Sequence, residues 1–464
     1  MTPDAAGRGP RTARQGMPGA DRPCAECLGE PEAPDWSPVS AADARRWGTG
    51  FWLVTYLFAA TMLGTTLPTP LYVIYASQWH FTAAITTIIY ATYAVGVLAA
   101  LLLAGRSSDQ VGRRPVLAAA VGFSMVSTVV FILAPGVGWL FAGRILSGLS
   151  AGLVTGTATA ALTDISACRA AARDGPARDG PARDGPAGRV PGRGVTAAEA
   201  PARHASMVAT AANMGGLGLG PLVAGLLAEF APAPTVLVFE VYLGLQALAI
   251  LGLILVPETV THRERLSLHY TGLGVPTAGR SEFVAAGLAG FAAFSLLGLF
   301  SSLAPSFLSG VLHQGSHAVS GAVVFALLGT AAVSQLLLGR FPSRAVVTLG
   351  LGLFVVALAL IVAGLSQASM ALFLAGDIAG GIAVGAVVIG SLSTANRLAP
   401  PQLRGRVVST YFVFCYVGLT IPVIGVGIAS GYEGDFRSVL VCAIVLAGLS
   451  AVSMTGIHRA SAGS

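Results

Sequence analysis

Of the 464 residues, 54% are hydrophobic and only 10% are charged, and the mean hydropathy is +0.75. A soluble protein needs far more charge to cover its surface, so this composition excludes that class and points to a chain dissolved in lipid. The net charge is +6 and all 27 basic residues are arginines; lying in loops and tails with the exception of Arg144, they speak for an anionic lipid surface and against nucleic acid as a partner.

Residues 1–46 form a Gly/Pro/Ala/Arg-rich tail with no apolar stretch, which reads as disordered and not as a cleaved secretory signal. The tail holds Cys24-Ala25-Glu26-Cys27, a spacing that can furnish half of a zinc site or a redox pair. No further ligand is expected nearby, since His80 falls at the outer face and Cys168, Cys415 and Cys442 are scattered, so the spacing reads as fortuitous. Beyond the tail come apolar runs of the roughly 20 residues that carry a helix across about 30 Å of hydrocarbon, where only intrahelical hydrogen bonds satisfy the backbone. Twelve are predicted, numbered here as spans 1 to 12: 50–75, 82–105, 115–134, 138–163, 206–229, 234–256, 283–308, 317–339, 344–364, 369–395, 407–430 and 436–457. Glycine, 59 residues in all, recurs inside them, which suits close approach between membrane helices.

Short motifs punctuate the spans. Spans 2 and 3 are joined by GRSSDQVGRRPVL, Gly105 to Leu117, and span 4 carries Arg144-x-x-x-Gly148-x-x-x-Gly152. ARDGP then occurs three times in tandem from Ala172 to Pro186; such low complexity buries no core, so the segment 165–205 reads as a tolerated insertion. Span 5 contains Gly216-x-x-x-Gly220-Pro221 and Gly225, and Pro257-Glu258-Thr259 follows span 6. The hydrophilic stretch 257–280 divides the spans six and six. Ala142–Gly152 in span 4 aligns with Ala375–Gly385 in span 10, equivalent positions of the two halves, as expected for an internal duplication.

In this order and placement the motifs resemble those of the major facilitator superfamily, and of its bacterial drug and metabolite antiporters in particular. Gly105, Asp109, Gly112, Arg113 and Arg114 fall where that family has its loop 2–3 signature, although Gln110 stands where a basic residue is usual. The Arg144 motif is similar to that of proton-coupled members. Gly216, Gly220, Pro221 and Gly225 are similar to the antiporter motif, with Ala224 in place of a second glycine. The resemblance implies an all-α membrane fold of about twelve helices in two pseudo-symmetric six-helix bundles, 47–256 and 281–458, linked by a central cytoplasmic loop 257–280 and closed by a short tail, 459–464. The loop 2–3 signature then reads as a charge latch. Asp109 accepts hydrogen bonds from backbone amides and pairs with an arginine to hold the halves closed inside, and Gly112 makes the turn. The competing reading is that Arg113 and Arg114 only set topology. The second-half counterpart, Gly339 to Arg344, is shortened and lacks the acid.

Charges inside a membrane are costly and therefore functional candidates, and only Arg144, Glu240 and Asp377 lie well inside predicted spans. Arg144 and Asp377 occupy matching positions in spans that line the central cavity of the family. They read either as an ion pair or as a proton-coupling pair in which Asp377 titrates. Glu240, in the more peripheral span 6, reads first as a hydrogen-bonded structural group and second as a proton carrier. Gln246, with Asn213 and Gln335, reads as interhelical or substrate-binding. Tyr56 and Phe58, with Tyr411, Phe412, Phe414 and Tyr416, offer aromatic surface to an apolar substrate or to lipid. The positive-inside rule places both termini in the cytoplasm, because between outer span ends only Arg437 is basic. The expected protein is a secondary transporter of the plasma membrane, functional as a monomer, that exports a small, largely apolar compound in exchange for protons. An importer or uniporter on the same fold is the alternative, and a transport-dead receptor the least favoured. Substrate, protons and lipid are its expected partners; no enzyme chemistry, cofactor or metal is implied, and no phosphate loop is present to support ATP-driven pumping.

Overall fold

A computed structural model describes residues 41–105, 107–174, 199–260, 272–276, 279–400 and 403–462. The described residues form helices and no strand. The first bundle comprises α1 (Ala41–Thr66), α2 (Tyr72–Trp79), α3 (Ala83–Ala104), the short α4 (Ser107–Val111), α5 (Arg113–Ile132), α6 (Val137–Asp174), α7 (Glu199–Phe230) and α8 (Pro234–Leu253). The second comprises α9 (Arg280–Gly310), α10 (His317–Leu338), α11 (Ser343–Ser366), α12 (Met370–Leu398), α13 (Arg404–Glu433) and α14 (Asp435–Ala462). Among the described residues 12 stretches are long and apolar enough to cross a membrane, α1 and α2 together making the first.

Several boundaries differ from the sequence reading. Residues 41–46, assigned to the disordered tail, open α1, where alanine and arginine are good helix formers. Span 1 is not continuous: Pro68 and Pro70, which cannot donate to a helical ladder, bracket a 3-10 turn at Thr69–Leu71 that separates α1 from α2. Helix α6 runs on to Asp174 and α7 begins at Glu199, so the inserted loop is shorter at both ends than 165–205. The ARDGP repeats beyond Asp174, together with Cys24 and Cys27, lie outside the described residues.

Within the first bundle α6 packs on α3 and α5, and α1 on α7. In the second, α12 packs on α11 and α10, and α13 on α9. Two seams join the bundles, α7 against α10 and α3 against α13. Glycine makes the first seam possible: a Cβ on Gly225 would collide with the His317 carbonyl, and one on Gly321 with the Pro221 carbonyl. In the second seam the Thr87 side chain fills the space a Cβ on Gly427 would need. With twelve alternating spans, both chain ends share one side, called here the terminal face. Gly225, His317, Thr87 and Gly427 all lie toward the other, distal face, so the bundles meet most closely there.

Candidate functional site

Two groups of charged side chains stand out, one at the terminal face and one inside the bundles. At the terminal face the chain turns from α4 into α5 through Gly112, whose φ of 107° is open only to glycine at little cost. A Cβ there would also lie 2.7 Å from a carboxylate oxygen of Glu258. That carboxylate caps α5: Glu258 Oε1 accepts from the Arg113 amide at 2.9 Å and Oε2 from the Arg114 amide at 3.1 Å. Oε1 also accepts from the amides of Thr259 at 3.0 Å and Val260 at 3.3 Å. Two orphan donors at the N-terminus of α5 and two amides beyond the end of α8 are thereby satisfied by one acid.

The Arg113 guanidinium spreads over the same corner. It donates to Asp109 Oδ1 at 2.6 Å, to Ser108 Oγ at 2.7 Å and, through Nε, to Asp164 Oδ2 at 3.1 Å. Thr259 Oγ1 donates to the same Asp164 oxygen at 3.2 Å, and Arg114 Nη2 to the Ile254 carbonyl at 3.2 Å. The expected latch is corrected in one respect. The acid on the backbone amides is Glu258 and not Asp109, whose side chain is 63% exposed and pairs with Arg113 across the Gly112 turn. The partners named here belong to the first bundle, where the network braces α4, α5, α6 and the end of α8.

The second bundle holds a comparable brace that the shortened Gly339–Arg344 segment did not announce. Its acid comes from elsewhere in the chain. Buried Glu282, in the first turn of α9, accepts from Arg344 Nε at 3.3 Å and from Arg397 Nη2 at 2.6 Å, joining α9, α11 and α12.

Inside the bundles, Arg144 on α6 and Asp377 on α12 each sit about two turns in from the distal end of their helix. Both are fully buried, at 1% and 0% exposure. They form no ion pair, which overturns that reading. Arg144 instead donates through Nη1 to the Thr65 carbonyl just before the break in span 1, and its guanidinium carbon lies 5.2 Å and 4.8 Å from the ring centres of Tyr90 and Tyr93 on α3. Its Nε has no partner, and neither oxygen of Asp377 has one. The third intramembrane charge is misplaced by the sequence reading. Core residues Val238, Phe239, Tyr242 and Gln246 define the inward side of α8, whereas Glu240 points away from them, exposed and without a hydrogen bond or ion pair. It belongs neither to a cavity nor to a hydrogen-bonded structural network.

The span 5 glycines divide between two contacts. Gly216 and Gly220 press on the backbone of α1 at Ala59 and Leu63, while Pro221 and Gly225 form the inter-bundle seam with α10. Close by, Glu229 Oε2 accepts from the His317 amide at 2.8 Å, a contact between bundles that no motif signals. Gln246 donates to Ser124 Oγ at 3.1 Å and so serves α5–α8 packing. Of the aromatic candidates, Phe58 and Tyr411 are buried, Tyr56 donates to the Leu245 carbonyl at 2.9 Å and Tyr411 pairs with Ser391 at 2.8 Å. Phe412 and Tyr416 lie tilted to one another, with ring centres 6.5 Å apart, and Phe414 meets Phe283 edge to face.

Two six-span bundles, meeting along seams at one face and burying charges from equivalent helices, have the architecture of a membrane transporter. The model of the Major Facilitator Superfamily matches residues 53–172 and 193–423, and the chain belongs to that family. Solved structures agree on the fold. A point mutant of the nucleoside transporter NupG aligns with a TM-score of 0.62 at 13% identity over 89% of this chain and 99% of its own. A bacterial homolog of the human lysosomal transporter Spinster, in an inward-facing and unoccupied conformation, gives 0.62 at 14% over 89% and 97%. The human organic anion transporter MFSD10 gives 0.58 at 19% over 89% and 99%. No curated protein matches the sequence.

Proposed function

We propose that this transporter is proton-coupled and exports a small, largely apolar compound across the plasma membrane, working as a monomer with the terminal face in the cytoplasm. The carrying observation is Asp377, buried in α12 with both carboxylate oxygens unpartnered. An ionised carboxylate so placed is costly, and uptake of a proton removes the cost. The seams at Gly225–His317 and Thr87–Gly427 then describe a state closed toward the outside. Rocking of one bundle against the other would open that side, admit water to Asp377 and exchange its proton. Arg144, without an acid of its own, sets the electrostatic field on the opposite bundle, and the arginine-rich loops favour the cytoplasmic placement. The span 5 motif supplies the seam that closes in this state.

The test is compound accumulation in cells with and without the protein, followed by proteoliposome assays of proton movement with an accumulating compound. Asp377→Asn is expected to abolish proton movement and pH-driven transport while sparing exchange at equilibrium. Normal proton movement in that variant removes Asp377 from the mechanism.

A further inference from the structure

Buried polar groups in a folded protein are partnered almost without exception, so those that are not indicate what a site is built to receive. Around Arg144 the unpartnered atoms are all able to donate. The Arg144 Nε–H donates to nothing, and the hydroxyls of Tyr72 and Tyr75 on α2, both 2% exposed, have no partner. Tyr72 and Tyr75 stand one turn apart on α2, directly after the proline break that follows the Thr65 carbonyl, and Tyr72 lies within electrostatic reach of the guanidinium. The one acceptor the protein offers the guanidinium is the Thr65 carbonyl. The faces of Tyr90 and Tyr93 complete the surroundings with flat aromatic surface.

We infer that Arg144, with Tyr72 and Tyr75, receives the anionic head of the transported substrate, an organic carboxylate whose apolar body lies against the tyrosine rings. A buried positive charge without an acid carries an uncompensated desolvation cost, and a carboxylate entering beside it offsets that cost while accepting from donors now left idle. A neutral amide brings no charge to offset that of Arg144, and an ammonium group meets a like charge. This deepens the transport reading above, since it rests on α6 lining the path. Asp377, on the other bundle, remains free for a proton.

The probes are matched carboxylate, amide and aminomethyl derivatives of several aryl bodies, naphthalene among them, with binding to the full chain in lipid nanodiscs followed by thermal shift and tyrosine quenching. Carboxylates are expected to bind, with their amides and amines at least tenfold weaker. Arg144→Gln should erase the preference. Because that variant also loses the contact to Thr65, Tyr72→Phe is the cleaner probe. It deletes an unpartnered hydroxyl, so a merely structural residue would leave stability unchanged or raised and binding untouched. The inference expects carboxylate binding about tenfold weaker at undiminished stability. Amides or amines binding as well as carboxylates, no carboxylate binding at all, or unaltered binding in Tyr72→Phe each overturn it. Carboxylate binding without proton movement leaves it standing and removes proton coupling; proton movement driven only by neutral compounds does the reverse.

Discussion

At the scale of single residues, what matters is which polar groups are satisfied. Glu258 satisfies four backbone amides at the start of α5 and after α8, so Glu258→Ala is expected to cost on the order of 1 kcal/mol or more in stability and to slow transport. Gly112→Ala should act in the same direction, because it strains φ and pushes a Cβ against that carboxylate. Asp109→Asn should do less than either, since its carboxylate is 63% exposed and Arg113 keeps its bond to Asp164. Thermal unfolding and transport rates of the three variants give the ranking, and equal damage from Asp109→Asn would restore that residue to the centre of the latch. Glu240 offers the opposite case. As an unpartnered acid on the outward side of α8, it should be replaceable: Glu240→Leu is expected to raise stability in lipid by about 1 kcal/mol with transport unchanged. A loss of proton movement in Glu240→Leu would show that this carboxylate is the carrier.

At the scale of elements, the α7–α10 seam brings two backbones into close contact between the bundles. Gly225 and Gly321 leave no space for a side chain between the two backbones. Gly225→Leu is therefore expected to hold the bundles apart at the distal face while each bundle stays folded, because α7 keeps its separate contact with α1 through Gly216 and Gly220. Cysteines placed at the distal ends of α7 and α10 should become more reactive to a water-soluble thiol reagent in that variant, and transport should fall at least tenfold. Unchanged reactivity would mean the seam is not part of the gate. The break of span 1 belongs to the same scale. Pro68 and Pro70 end α1 where the Thr65 carbonyl is needed by Arg144, so the local chemistry of proline exposes a backbone acceptor to a buried charge.

For the whole molecule, the two bundles are alike in architecture and unlike in wiring. The first is braced by Arg113 against Asp109 and Asp164, with Glu258 on the helix terminus; the second is braced by two arginines on the single acid Glu282. Each brace stiffens one bundle at the terminal face, and the rocking proposed above would move such stiffened bodies against one another along glycine-lined seams.

The number of spans, their division six and six, and the family were legible in the sequence, because lipid forces every crossing segment to be a long apolar helix and the motifs sit at fixed places between them. The buried charges could also be named. Their surroundings could not. Whether Arg144 meets Asp377 or two tyrosine faces, whether Glu240 turns inward or outward, and which acid caps Arg113 depend on helix rotation and on side chains far apart in the chain, 145 residues in the case of Arg113 and Glu258. Hydropathy registers that a helix spans the membrane but hardly which of its faces is buried, since lipid and protein interior are both apolar; only tertiary packing decides that.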